Sequence, residues 1–366
     1  MPPPDRARPV VYLDLTHVGR HVTGLERIAI ELFEKAHFAN ADIRPIRAAN
    51  LVMLILKQQL LFPLLALINP RAHFIFPGFP PSPLMIAFRD RVVLYVHDLF
   101  LVTRPQDLGL KAKLYMARPF RLAVSRLRHF LTNSAKTRAE LEPFVASDAR
   151  IELYRPTVAN VFGVGACDRS GRTDAPSPLK IVAIGTVEPR KNYRAAAAIR
   201  HALARAGFDG CELHIIGRRG WGPDADALGD EPGIVMHGYL SLDEARAIIE
   251  TADIYISTAH DEGLGLPLLE VQFAGLPVVA ADIPVFREVL GTSGTYIPTD
   301  DAETAARLIR TLVETPGWRR ERADAARENL DRWNTAAMAD AARVRVMFRS
   351  VEPTAQPTAA EAAPRG

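Results

Sequence analysis

The chain has 366 residues, 48% of them hydrophobic and 24% charged, with a net charge of +3. That length suits two domains of about 150–180 residues, and that balance suits a globular protein, which excludes a disordered or fibrous chain. The basic excess fits a phosphate-bearing ligand or an anionic surface but is too small to predict a nucleic-acid partner, and two cysteines without ligand spacing, Cys167 and Cys211, predict neither a disulfide framework nor a zinc site.

The N-terminal MPPPDRARPV has no apolar leader core, so a cytoplasmic location is expected. Residues 10–15 (VVYLDL) read as a buried strand, followed by a polar loop with Gly19 and Gly24 and a helix with apolar residues at helical spacing. Residues 51–68 form the most apolar stretch. Lys57, Gln58, Gln59 and Pro63 interrupt it, which argues against a bilayer-spanning helix and for a pair of buried helices; a surface resting on a membrane is the other reading. Residues 74–85 (FIFPGFPPSPLM) are a second candidate to face a membrane. Strands are expected at 91–96, 129–132 and 151–154, and Asn133-Ser134 caps a helix over 136–144.

Residues 163–178 are small, polar and rich in Gly and Pro, as a linker would be. The alternation then restarts, with strands expected at 179–184, 212–216, 233–237, 254–257 and 277–281 and helices at 193–206, 242–251 and 267–274. Two such series predict two doubly wound parallel sheets of the Rossmann type, one within 1–165 and one within 179–325, joined by a linker at 166–178. Residues 303–348 read as helical with a break near Pro316. The part from 326 to 350 is expected to cross back to the first domain, and 351–366 to be a disordered tail.

The most informative segment is 261–270, DEGLGLPLLE. Gly263 and Gly265 let the backbone approach a ligand, Pro267 suits the first turn of a helix, and the free amides there favour phosphate. Glu262 and Glu270 frame the loop, and a carboxylate among apolar helical positions needs a partner. A second segment, IVAIGTVEPRKNY over 181–193, places Gly185, Thr186, Arg190 and Lys191 after a strand, where cations would neutralise a diphosphate. His97 and Asp98 follow another strand. Asp224-Ala225-Asp226 spells a metal-binding tripeptide of a different fold but stands in a polar loop, so no metal site is expected.

EGLGLPLLEVQFAGLPVVAADIPVFREVLG resembles the signature of the retaining glycosyltransferases of family 4, which have the GT-B fold. The resemblance implies that Glu270 binds the donor ribose, that Glu262 lies by the donor sugar, and that Gly263, Leu264 and Gly265 meet the diphosphate or sugar. In GTVEPRKN it assigns Lys191 to the diphosphate; Thr186 stands where many relatives have arginine, and Arg190 would supply the second charge. LDLTHVGRHVTGLERIAIEL is similar to the family's first loop, making Thr23, Gly24 and Arg27 candidates near donor and acceptor. His97 would contact the donor sugar. NSAKTRAEL (133–141) is similar to a segment beside the interdomain cleft, and RWNTAAMAD to the crossing helix.

The implied activity is metal-independent, cofactor-free transfer of a hexose with retention. The motif variants resemble bacterial mannosyl- and rhamnosyl-type enzymes of surface polysaccharide synthesis. GDP-mannose is the favoured donor and a growing or lipid-linked oligosaccharide the expected acceptor, with peripheral contact at the cytoplasmic membrane face. A non-catalytic sugar-nucleotide-binding partner protein, or another enzyme on this fold such as an epimerase or a phosphorylase, is the alternative.

Overall fold

A computed structural model describes residues 9–19, 24–34, 41–103, 116–165, 178–222, 227–229 and 231–349. Thr23, the Asp224–Asp226 tripeptide, most of the expected linker and the expected tail lie outside them.

Two six-stranded, wholly parallel sheets organise the chain. The first contains β1 (Val10–Leu15), β2 (Asp42–Arg47), β3 (His73–Phe76), β4 (Val92–Val96), β5 (His129–Thr132) and β6 (Arg150–Leu153) in the order β2-β1-β3-β4-β5-β6. The second contains β7 (Lys180–Ile184), β8 (Glu212–Ile216), β9 (Ile234–Gly238), β10 (Ile254–Ser257), β11 (Val278–Ala281) and β12 (Gly294–Ile297) in the order β12-β11-β10-β7-β8-β9. The central strands are continuous apolar runs because helices cover both faces of such sheets. VVLYV of β4 and VVAA of β11 are buried along their whole length.

Several elements escaped the sequence reading, among them the helix Arg118–Arg126. β2, DIRPIR, is a polar edge strand, which is where a proline such as Pro45 is tolerated. β3 is only four residues long. Its Phe74, Ile75 and Phe76 are buried at the centre of the first sheet, as is Met85 beyond it. That corrects the expectation that 74–85 faces a membrane. β12 and the helix Pro284–Leu290 were also unexpected.

The expectation of a buried helix pair at 51–68 is likewise overturned. The segment is one unbroken helical run in which Leu51–Leu56 and Phe62–Ile68 are α-helical and Lys57–Leu61 is a π-helical turn. The widened turn admits Pro63, which has no N–H to donate. Most of its leucines and isoleucines face outward.

The helix Trp318–Arg349 packs along the second sheet and then reaches the first. Trp333 is buried and donates from Nε1 to the Pro156 carbonyl at 2.9 Å. Val344 is buried among Leu13, Phe33 and Tyr154 of the first half.

Candidate active site

Ligands on doubly wound sheets bind at the carboxyl ends of the strands where the order reverses. In the first sheet that point lies between β1 and β3, in the second between β7 and β10. The loops leaving these four strands, with the loop after β4, carry nearly all the candidate residues.

After β7, Glu188 to Lys191 form a tight turn that ends at Asn192, whose φ of +51° is left-handed. The turn aims Arg190 and Lys191 at the loop after β10. Lys191 Nζ donates to Glu262 Oε1, and Arg190 Nη1 lies 2.7 Å from Glu262 Oε2. Burial alone would raise the Glu262 carboxyl, but the two cations outweigh it and hold it below the usual carboxylate range. Arg190 also donates to the Asp261 carbonyl at 3.0 Å, and its guanidinium lies over the Phe100 ring of the first half at 4.7 Å.

Close packing of the glycine loop defines the rest. Gly265, at φ +84°, caps the helix Leu266–Glu270. Gly185 lies so near Lys191 that a Cβ there would meet its Cε at 3.2 Å. A Cβ on Gly263 would stand 2.2 Å from the His97 carbonyl oxygen, so the two halves touch backbone to side-chain-free backbone at this point. Ser134 Oγ donates to the Gly263 carbonyl at 2.9 Å, and Lys136 Nζ to Asp261 Oδ1 at 2.7 Å. The segment 133–141 is thus an interdomain seam, as its sequence suggested. Leu264 is buried in the core of the second half, so only its backbone can serve a ligand.

Glu270 is buried and meets Arg27, from the helix Gly24–Ala29 of the first half. Burial raises its pKa, and Arg27 offsets part of that rise. An exposed helical carboxylate is excluded.

His97 and Asp98 differ in state. Nε2 of His97 donates to the Pro77 carbonyl at 2.6 Å, and burial lowers its pKa to about 4, so the ring is neutral. Nδ1 is then a buried acceptor with no partner among the described residues. Burial raises Asp98 to about 6, against the pull of Arg190. Both line a cavity of about 610 Å³ between the halves, with His17, Phe79, Arg190 and Trp221.

Gly24 and Thr186 are exposed and take no part in this cluster. His17 went unnoticed in the sequence. Its ring packs edge-on against Phe79, 5.6 Å between centroids, and neither ring nitrogen has a hydrogen-bond partner among the described residues. Its position just past β1 was the available clue. Phe100 closes the YVHDLF segment that carries His97 and Asp98, which was its clue, whereas Trp221 sits in no recognisable motif.

Residues 178–315 match the family model described as glycosyl transferases group 1, so the second half carries a domain of that family. The chain is 24% identical to O-antigen chain mannosyltransferase B of Escherichia coli, over 85% of this chain and 90% of that protein. Sucrose-phosphate synthase from Thermosynechococcus elongatus has the same fold, with a TM-score of 0.69 at 16% identity over 93% of this chain and 98% of that one. So does HepE of Anabaena, solved with UDP and glucose, with a TM-score of 0.66 at 14% identity over 94% of this chain and all of that one. The architecture is GT-B.

Proposed function

We propose that this protein transfers a mannosyl residue, from GDP-mannose, to a saccharide acceptor that is growing or lipid-linked, with retention at the anomeric carbon and without a metal ion. The observation that carries this reading is the grip of Lys191 and Arg190 on Glu262 at the second sheet's reversal point. Two cations and a glycine loop at a helix N-terminus form a receptor for a diphosphate. Mannose is favoured by the relationship to an O-antigen mannosyltransferase along most of both chains.

In this reading the donor diphosphate displaces Glu262 from one or both cations, and Glu262 then faces the sugar. Glu270 accepts from the ribose hydroxyls. The bond between the anomeric carbon and the diphosphate oxygen breaks, with its electron pair going to that oxygen. Lys191 and Arg190 balance the charge that develops there, so no metal is required. The acceptor hydroxyl attacks from the same face and passes its proton to the departing phosphate oxygen. Nδ1 of His97 accepts from a donor-sugar hydroxyl and fixes the ring. The acceptor enters through the cavity between Phe79 and Trp221. The reaction takes place at the cytoplasmic face of the membrane.

Thermal melting with GDP, UDP, dTDP and ADP, without added metal, tests the donor. Saturation at about 100 times the dissociation constant adds about 2.7 kcal/mol. GDP is expected to give the shift, and GDP-mannose with a mannose-terminated acceptor an α-linked product. An inverted product would remove retention from the reading. Turnover with another sugar nucleotide alone would replace the donor, and a protein that binds nucleotides but transfers nothing would be a binding partner.

A further inference from the structure

The helix Leu51–Ile68 is, among the described residues, the one long and apolar enough to cross a bilayer, yet its buried share is small. Its polarity is reversed relative to a helix of a soluble core. The polar residues that interrupt it turn toward the protein. Gln58 is buried and donates to Asp14 Oδ2 at 2.8 Å and to Thr16 Oγ1 at 3.1 Å. Gln59 accepts from Ser82 at 2.9 Å, and Lys57 donates to the Arg47 carbonyl. Leu51, Val52, Ile55, Leu60, Leu64 and Leu67 point away, each at least half exposed. A run of this length is about 27 Å long, and an uncovered apolar face that size marks an interaction surface.

Charge identifies the occupant. Between Asp42 and Asp90 the chain has no carboxylate side chain, while Arg44, Arg47, Lys57, Arg71 and Arg89 all fall there. Arg44, Arg47 and Arg71 are exposed. Arg44 is paired with Asp42 and Arg47 with Glu34, so the excess positive charge beside the apolar face comes from Arg71 and Lys57; an apolar face with a net basic surround is complementary to an anionic lipid leaflet. Crossing the bilayer is excluded by the helix's own anchors, because leaving the protein would uncover Phe62 and Ala66 and strip Gln58 from the buried Asp14.

We propose that the outer face of this helix is a membrane-docking surface that lies flat in the interface of an anionic leaflet, with its leucines among the acyl chains and the arginines at the phosphates. The surface adjoins the cleft. Gln58 holds Asp14 and Thr16 at the end of β1, and Gln59 holds Ser82, just past the cavity wall at Phe79 and Pro80. A docked molecule therefore opens its acceptor cavity close to the lipid surface. This rests on the transfer reading only for what enters that cavity.

The test is sedimentation of the full chain with vesicles of phosphatidylcholine, alone or mixed with phosphatidylglycerol. The wild type is expected to sediment with the mixed vesicles at low salt and less so as salt rises. The triple variant Leu60→Gln, Leu64→Gln, Leu67→Gln removes only exposed side chains and is expected to bind about tenfold more weakly or worse. Arg71→Glu, outside the helix, is expected to weaken binding to the mixed vesicles only, and provides the test if the triple variant fails to fold. A wild type left in the supernatant with both vesicles, or variants that sediment as well as it does, would overturn the proposal. So would a wild-type dimer in light scattering that ignores vesicles and that the triple variant breaks, which would make the face a contact between copies. Transfer to a water-soluble acceptor is expected to be equal in all three proteins, so failure of docking is distinguishable from failure of the transfer reading.

Discussion

Arg27 and Glu270 form an ion pair although they are 243 residues apart in the chain. One stands on the first helix of the first half and the other on the helix that follows the glycine loop of the second. The carboxylate expected to hold the donor ribose is therefore paired across the cleft with the opposite half. In the proposed reaction donor entry would exchange that partner, so nucleotide affinity is expected to depend on the Arg27–Glu270 pair.

Replacing Arg27 with Met leaves a buried acceptor without a donor, at a cost of about 1–3 kcal/mol. The urea midpoint of the variant is expected to fall accordingly. Glu270 already has a raised pKa, so its neutral form is favoured in the folded protein and its ionisation opposes folding. The deficit should be larger at pH 8 than at pH 5, and an equal deficit at both would show that Arg27 does not act through Glu270.

Lys191→Ala and Glu262→Gln should part company. Removing the cation is expected to lower turnover by about 10²–10³-fold, as for other groups that stabilise a developing anion. Removing the Glu262 charge frees Lys191 and Arg190 from their carboxylate, so calorimetry should show tighter binding of the nucleoside diphosphate together with slower transfer. Full turnover in both variants would leave the paired cations without a catalytic role.

His97 and Asp98 contribute to pH dependence with opposite sign. His97, lowered to about 4, adds stability above its unfolded value near 6.5 that is lost as pH falls toward 4. Asp98, raised to about 6, binds a proton on folding, so its effect on stability declines as pH rises from about 4 to 6. The two nearly cancel between pH 4 and 6. Asp98→Asn should make the stability of the protein rise with pH there by about 1.4 kcal/mol per unit more than in the wild type, and His97→Gln should make it fall by a similar amount. Chemical unfolding at pH 4.5 and 5.5 reads both slopes, and parallel slopes in all three proteins would count against these assignments.

Gly263→Ala probes the contact between halves. A methyl group there has no room beneath the His97 carbonyl, and the obstacle is backbone, which cannot swing aside. The loop must retreat, drawing Glu262 with it. Transfer is expected to fall by about 10²-fold, as a displacement of about 1 Å does elsewhere, with circular dichroism unchanged. Wild-type activity would mean that the halves separate at Gly263 during turnover.

The architecture and the glycine-loop wall of the cleft were legible in the sequence. Apolar runs of strand length alternating with amphipathic helices leave few arrangements besides two parallel sheets, and the loop at 261–270 carries its chemistry within ten consecutive residues. Local spacing also placed Lys191, Arg190, His97 and Asp98 at strand ends. What spacing cannot convey is which distant groups meet, because that follows from how the sheets face each other. Only the tertiary structure brought Arg27 to Glu270, stacked Phe100 under Arg190, and set His17 and Trp221 on one cavity. It also decided the direction of the helix Leu51–Ile68. Its composition alone suits a buried helix, and inward hydrogen bonds with Asp14, Thr16, Ser82 and the Arg47 carbonyl hold its polar residues against the protein and leave its leucines outside.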